Sequence, residues 1–72
     1  MKWEEIRTHY PKKWLLIEAI KAHSEANKRI LDDIAVINVF NHSTKAMHNY
    51  ICLHHENPKR ELFVVHTDKK NA

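Results

Sequence analysis

The stretch Lys13–Ala22, KWLLIEAIKA, is the most continuously apolar part of the chain. Trp14, Leu15, Leu16, Ile17, Ala19 and Ile20 place apolar groups on both faces of an extended segment. A strand of that kind belongs at the centre of a sheet, covered on both sides. We therefore expect a first strand from about Trp14 to Ala22. Upstream, Trp3, Ile6 and Tyr10 fall at i, i+3 and i+7 and predict a short helix over residues 2–10. Glu4 and Glu5 suit its first turn, and Pro11 should end it at Tyr10. Downstream, His23–Lys28 is polar and reads as a hairpin loop. It contains no Asn-Gly or Asp-Gly, so the expectation is a loop longer than a tight two-residue turn.

A second strand is predicted from about Ile30 to Phe40, rich in β-branched residues in its later half. Asp32 and Asp33 interrupt it and suggest a bulge or a late start to the pairing. Ser43 suits an N-cap, and the helix behind it should run to about His55. Its expected apolar face is Ala46, Met47, Tyr50, Ile51 and Leu53, with His54 near the same side. Lys45, His48, Cys52 and His55 point away from that face. Asn57-Pro58 ends the helix. Glu61–Thr67, ELFVVHT, is a third strand, and the polar tail from about residue 68 is expected to fray.

The order α-β-β-α-β predicts one small α+β domain over residues 1–72. The architecture expected is two-layered, with a three-stranded, mainly antiparallel sheet and one long helix packed on one face. Pairing strand three with strand one gives the order 2-1-3 and puts the apolar first strand in the middle. The other arrangement sets strand three parallel to strand two and leaves strand one at an edge. Both sheet faces are apolar: Leu16 and Ile20 against Leu15, Ile17 and Ala19 in strand one, Ile34, Val36 and Phe40 against Ala35, Ile37 and Val39 in strand two, and Leu62 and Val64 against Phe63 and Val65 in strand three. The long helix covers one face. Two turns carrying Trp3 and Ile6 would leave much of the other bare. A large bare apolar surface implies an interface, so self-association, as a dimer joined through the open sheet face or a sheet edge, or an unidentified protein partner is expected. A charge at Ile17 or Ile37 would test for the open face.

Composition sharpens this picture mainly by exclusion. At 72 residues a lone core is marginal, so a second copy would help. The chain has no glycine, which rules out Gly-rich phosphate loops, the dinucleotide fingerprint and the KH clamp. Cys52 is the single cysteine, which excludes an internal disulfide and suits a reducing cytoplasm. The N-terminal MKWEEIRTHYP is not patterned as a signal peptide, and no apolar run is long enough for a membrane helix. A net charge of +3 from mixed charges permits an acidic partner without requiring one.

Candidate chemistry is thin. His48, Cys52 and His55, at i, i+4 and i+7, could offer soft ligands to zinc, but three solvent-facing residues on a polar helix face make the same pattern. His55-Glu56 opens a zinc-protease motif that fails, because Lys59 stands where the second His is needed. Cys52 beside a histidine resembles a nucleophile–base pair without an oxyanion hole. A hairpin would bring Glu18 near Asp33, but opposed like charges favour a shifted register or neutralisation by Lys21 and Arg29. The basic pairs Lys12-Lys13, Lys28-Arg29 and Lys59-Arg60 sit at element boundaries with acids nearby and make no basic stripe. No catalytic, cofactor-binding or metal residue is assigned, no cofactor is implied, and the protein is not read as an enzyme.

Trp3-Glu4-Glu5-Ile6, Tyr10-Pro11, Trp14 with Ile17-Glu18-Ala19, Ala22-His23-Ser24, Arg29-Ile30-Leu31, and Tyr50-x-x-Leu53-His54 through Pro58-x-Arg60-Glu61-Leu62 to Val65-His66-Thr67 form a combined pattern. It resembles a group of short uncharacterised proteins of Gram-positive, Bacillus-like bacteria, over almost the whole chain. The resemblance implies a small bacterial cytosolic protein and brings no activity, ligand or catalytic residue. In its light Arg60 and Glu61 would tie strand three to the helix end, and His66-Thr67 would face a partner, with charge pairing at a strand boundary the preferred, plainer reading. The function expected is a non-enzymatic protein-interaction module that self-associates. A nucleic-acid-binding or regulatory accessory protein and a metal- or thiol-dependent protein are the alternatives.

Overall fold

The apolar segment does become the middle of a sheet. The structure, a computed structural model, describes residues 1–69. In chain order the elements are α1 (Trp3–His9), β1 (Trp14–Glu25), β2 (Lys28–Phe40), α2 (Ser43–Glu56) and β3 (Leu62–His66). The sheet has the order β2-β1-β3, with β1 antiparallel to both neighbours, which rules out the arrangement with β1 at an edge. The fold is α+β. It has two covering helices, of 7 and 14 residues, where one was expected.

Those helices lie on opposite faces, so the fold has three layers. Beneath α1, Trp3 and Ile6 pack on Leu15, Ile17 and Ile34, with Tyr10, Leu31, Val36, Phe63 and Val65 around them. Leu16 alternates to the other face and is buried under α2, as is Ala46 of the helix itself. The face under the short helix is fully sealed at its centre: Ile6, Leu15 and Ile17 are 0% exposed. Ile17 therefore marks no open surface, contrary to the reading that two helical turns could not cover that face. The reason is local: the hairpin arm bends over the same face. Leu31 joins the core under α1, and Arg29 reaches Glu61 at the start of β3.

The bend comes from bulges. Ile37, Ile20 and Asp32 have no partner in the β1–β2 register. Each extra residue interrupts the two-residue alternation and adds twist. Asp32 thus marks a bulge, as the sequence suggested, and Ile20 is turned out to 58% exposure. The hairpin closes more tightly than expected. Pairing runs to Glu25 and Lys28, leaving Ala26 and Asn27 as a two-residue turn with φ of 48° and 65°. Two left-handed residues match the twist of the flanking strands, so strand pairing imposes the turn although Asn-Gly is absent.

Helix α2 also departs from expectation. His42, not Ser43, is the N-cap, and no side-chain bond caps the helix. The inward arc is Ala46, Asn49, Tyr50 and Leu53, with Ala46 buried and the others half-buried. Met47 and Ile51 are 45% and 59% exposed. The first residues after β3 are held in place: the Trp3 indole N–H donates to Lys69 O at 2.9 Å, and Lys69 N–H donates to His66 O at 3.1 Å. Of the tail expected to fray from about residue 68, Asp68 and Lys69 are described and Lys69 makes these bonds; residues 70–72 lie outside the described residues.

Candidate interaction site

Antiparallel pairing decides which backbone groups of a strand face its neighbour. Ala19 N–H donates to Glu61 O at 2.9 Å, and Thr67 N–H donates to Lys13 O at 3.0 Å. With the β1–β3 register, these bonds assign the inward groups to Glu61, Phe63, Val65 and Thr67. Leu62, Val64 and His66 therefore aim their N–H and C=O groups at the free side of β3. Among the described residues, the one main-chain bond made there is from Lys69 N–H to His66 O.

Each side of that edge carries an apolar cleft. On the α2 face, Met47, Tyr50, Leu62, Phe63 and Val64 enclose about 280 Å³. On the α1 face, Leu31, Phe63, Val64 and Val65, with Arg29 and Lys69 at the rim, enclose about 290 Å³. Met47 and Ile51 form an exposed apolar ridge along the α2 side.

The opposite edge of the sheet is built differently. Bulges at Ile37 and Asp32 interrupt the pairing rhythm of β2. Met1 lies along β2, accepting from Ile34 N–H at 2.9 Å and donating to Ile34 O at 2.7 Å. Its ammonium also reaches Asp33 at 2.6 Å and holds that carboxyl below its usual range. Bulges, acidic residues and a covering segment are the usual devices that stop an edge from pairing with another chain. Leu62-Phe63-Val64-Val65-His66 has no proline, lysine or acid and no bulge in its pairing with β1. Sequence reasoning missed this contrast. The uninterrupted LFVVH was a visible signal, and it acquires meaning only at an edge.

The residues singled out for chemistry do not converge. His48 and Cys52 line a shallow depression of about 320 Å³ between α2 and β2, with Asn38, Phe40, Lys45 and Asn49. Asn38 Nδ2 donates to Asn49 Oδ1 across it at 2.8 Å. His55 does not line this depression. Among the described residues no group of three His, Cys, Asp or Glu side chains is placed to hold a metal ion. Glu18 pairs with Ala35 and Leu62, while Asp33 lies opposite Lys21, so the two carboxylates are not partners.

Several charges are instead matched in local pairs. Arg60 grips Glu18 with two bonds, of 2.9 and 3.2 Å, and this keeps the Glu18 carboxyl below the usual range. Arg29 does the same to Glu61, at 2.8 and 2.9 Å. The side chains of Arg60 and Glu61 thus tie the start of β3 to β1 and to the hairpin arm, while Arg60 N–H donates to Asn57 O at the C-cap of α2 at 3.2 Å. Neither Lys21 nor Arg29 neutralises Glu18. His23 lies between Asp32, at 2.6 Å, and Glu25, at 3.2 Å, and the two carboxylates push its pKa up. His66 meets Trp14 edge-on at 5.0 Å. Thr67 does not face outward: it is 3% exposed and its hydroxyl accepts from Lys13 N–H at 2.9 Å.

No helix among the described residues is long and apolar enough to cross a membrane. No protein-family model, curated protein or solved structure matches the chain.

Proposed function

We propose that the protein is a non-enzymatic interaction module of a bacterial cytoplasm that works by associating with itself through the β3 edge. The observation that carries this reading is the contrast between the two edges. One is blunted by bulges, acids and Met1; the other is apolar, regular and flanked by a cleft on each face. Extended segments bind such edges by adding a strand, with main-chain bonds for affinity and alternating side chains in flanking clefts for specificity. Marginal size gives a second reason to pair, because a copy that binds only the folded state adds stability. The lone, exposed Cys52 fits a reducing compartment.

The nucleic-acid alternative has weaker support, since the arginines of two basic pairs, Arg29 and Arg60, are held by carboxylates. The metal or thiol alternative rests on His48 and Cys52 alone. The test is light scattering on eluted protein across a dilution series from high to low micromolar. The expected mass is about 17 kDa, twice the 8.6 kDa of one chain, falling on dilution. A mass of 8.6 kDa at every concentration overturns the proposal.

A further inference from the structure

We infer that the partner at this edge is the β3 strand of a second copy, paired antiparallel about a two-fold axis through Val64. The inference rests on the self-association reading above and specifies its geometry. Only Leu62, Val64 and His66 present outward backbone groups, so a new strand has to pair with those positions. Centring the axis on Val64 sets Val64 against Val64 and Leu62 against His66. All three positions of both copies then lie within the span Leu62–His66, the His66 carbonyl accepting from the mate in addition to its bond from Lys69 N–H. An axis one residue either way sets Leu62 or His66 against a residue beyond the strand. An axis on His66 opposes two histidines.

Charge agrees with this register. Within the seam no two like charges face each other. At its ends, Arg60 of one copy, already held by its own Glu18, comes level with Asp68 of the other, whose side chain is 69% exposed. Lys59 comes level with Lys69 beyond the strand ends, where solvent screens the pair.

The side chains fall correctly as well. Leu62, Val64 and His66 of the second copy enter the α2 face, beside Met47 and Tyr50. Phe63 and Val65 enter the α1 face, beside the cleft of Leu31 and Lys69. A two-fold axis perpendicular to the sheet keeps both α2 helices on one face, with their Met47–Ile51 ridges toward the seam. The product is a continuous six-stranded sheet, and the ridge exposed on one chain is covered by its symmetry mate.

Two variants test this. Val64 sends its N–H outward, so Val64→Pro removes a seam donor without touching the β1–β3 ladder; proline is tolerated at such positions. It should keep the far-ultraviolet circular dichroism of the parent while the mass falls from about 17 to 8.6 kDa. The second variant, Val64→Cys in a Cys52→Ser background, should form a disulfide-linked dimer on mild oxidation. Paired Cα atoms at the axis lie about 5.5 Å apart, within disulfide reach. His66→Cys in the same background should stay unlinked, because its copies lie roughly 14 Å apart along the strands. A dimer that survives Val64→Pro and links through neither cysteine overturns the β3 seam and leaves self-association standing. Linkage at His66 without linkage at Val64 overturns the register. A parent that is monomeric throughout removes the underlying reading with it.

Discussion

Ile6 lies on a helix of 7 residues and is completely buried, whereas Ile51 lies on a helix of 14 and is 59% exposed. Truncating each to alanine removes the same atoms, and the outcomes should differ sharply. At Ile6 three carbons leave a packed site, a transfer cost of ~2.4 kcal/mol at ~0.8 kcal/mol per methylene. A residual cavity of ~50 Å³ after α1 settles adds ~1.2 kcal/mol at ~24 cal/mol per Å³. The sum, roughly 3–4 kcal/mol, is a large part of the stability of so small a domain. Ile51→Ala should cost less than ~0.5 kcal/mol. Both are best made in the Val64→Pro background, so that association does not enter, and followed by Trp3 and Trp14 fluorescence in urea. With a slope of ~1 kcal/mol per molar, Ile6→Ala should lower the midpoint by ~3 M. The melting temperature should fall by roughly 15–25 °C. Equal shifts for the two variants, or a loss below ~1 kcal/mol at Ile6, would refute the packing of α1 on Leu15, Ile17 and Ile34.

Two further predictions concern the hairpin arm. Asp32 and Glu25 raise the His23 pKa above its ordinary 6.5, with Arg29 opposing in part. The stability contributed by this imidazolium is complete below the unfolded value of 6.5 and is lost as pH rises through the higher folded one. Proton NMR of the ring should titrate above 6.5, and His23→Gln should remove that limb from the pH profile of the melting temperature; a ring titrating at or below 6.5 would contradict the geometry. Ala26, at φ 48°, carries a Cβ in the left-handed region. Ala26→Gly should relieve that strain and stabilise the protein by ~0.5–1 kcal/mol, a rise of roughly 3–6 °C in thermal melts, and a fall would show the turn to be formed otherwise.

The centre of the fold was legible because Leu15, Leu16 and Ile17 are consecutive and apolar, a pattern that suits a doubly covered strand. Strand order followed from it. The turn at Ala26-Asn27 was not legible, since neither residue announces a left-handed conformation and thirteen residues of β2 impose it from outside. Helical periodicity placed Met47 and Ile51 in the core because they are apolar. Burial depends on what stands opposite, and Asn49, bonded to Asn38, takes the inward place. The free edge of β3, the proposed interface, was hidden for a related reason. LFVVH reads the same in a central strand as at an edge, and only the finished topology leaves β3 with one neighbour.

That topology has a consequence for how the chain folds. β1 is synthesised early, pairs at once with the adjacent β2, and receives its second neighbour only after α2 has been made. Until then one whole side of the most apolar strand is unsatisfied. The core under α1 lacks Phe63 and Val65, and the anchor that Lys69 O provides for Trp3 does not yet exist. The docking of the first helix starts on Leu15, Ile17 and Ile34 and on the Met1–Ile34 bonds, and is completed by the last strand across nearly the full length of the chain. Long-range closure of that kind slows folding relative to local pairing. A nascent chain halted within α2 would hold a hairpin and a first helix lacking its contacts to β3, with the free side of β1 open to any chaperone that reaches it.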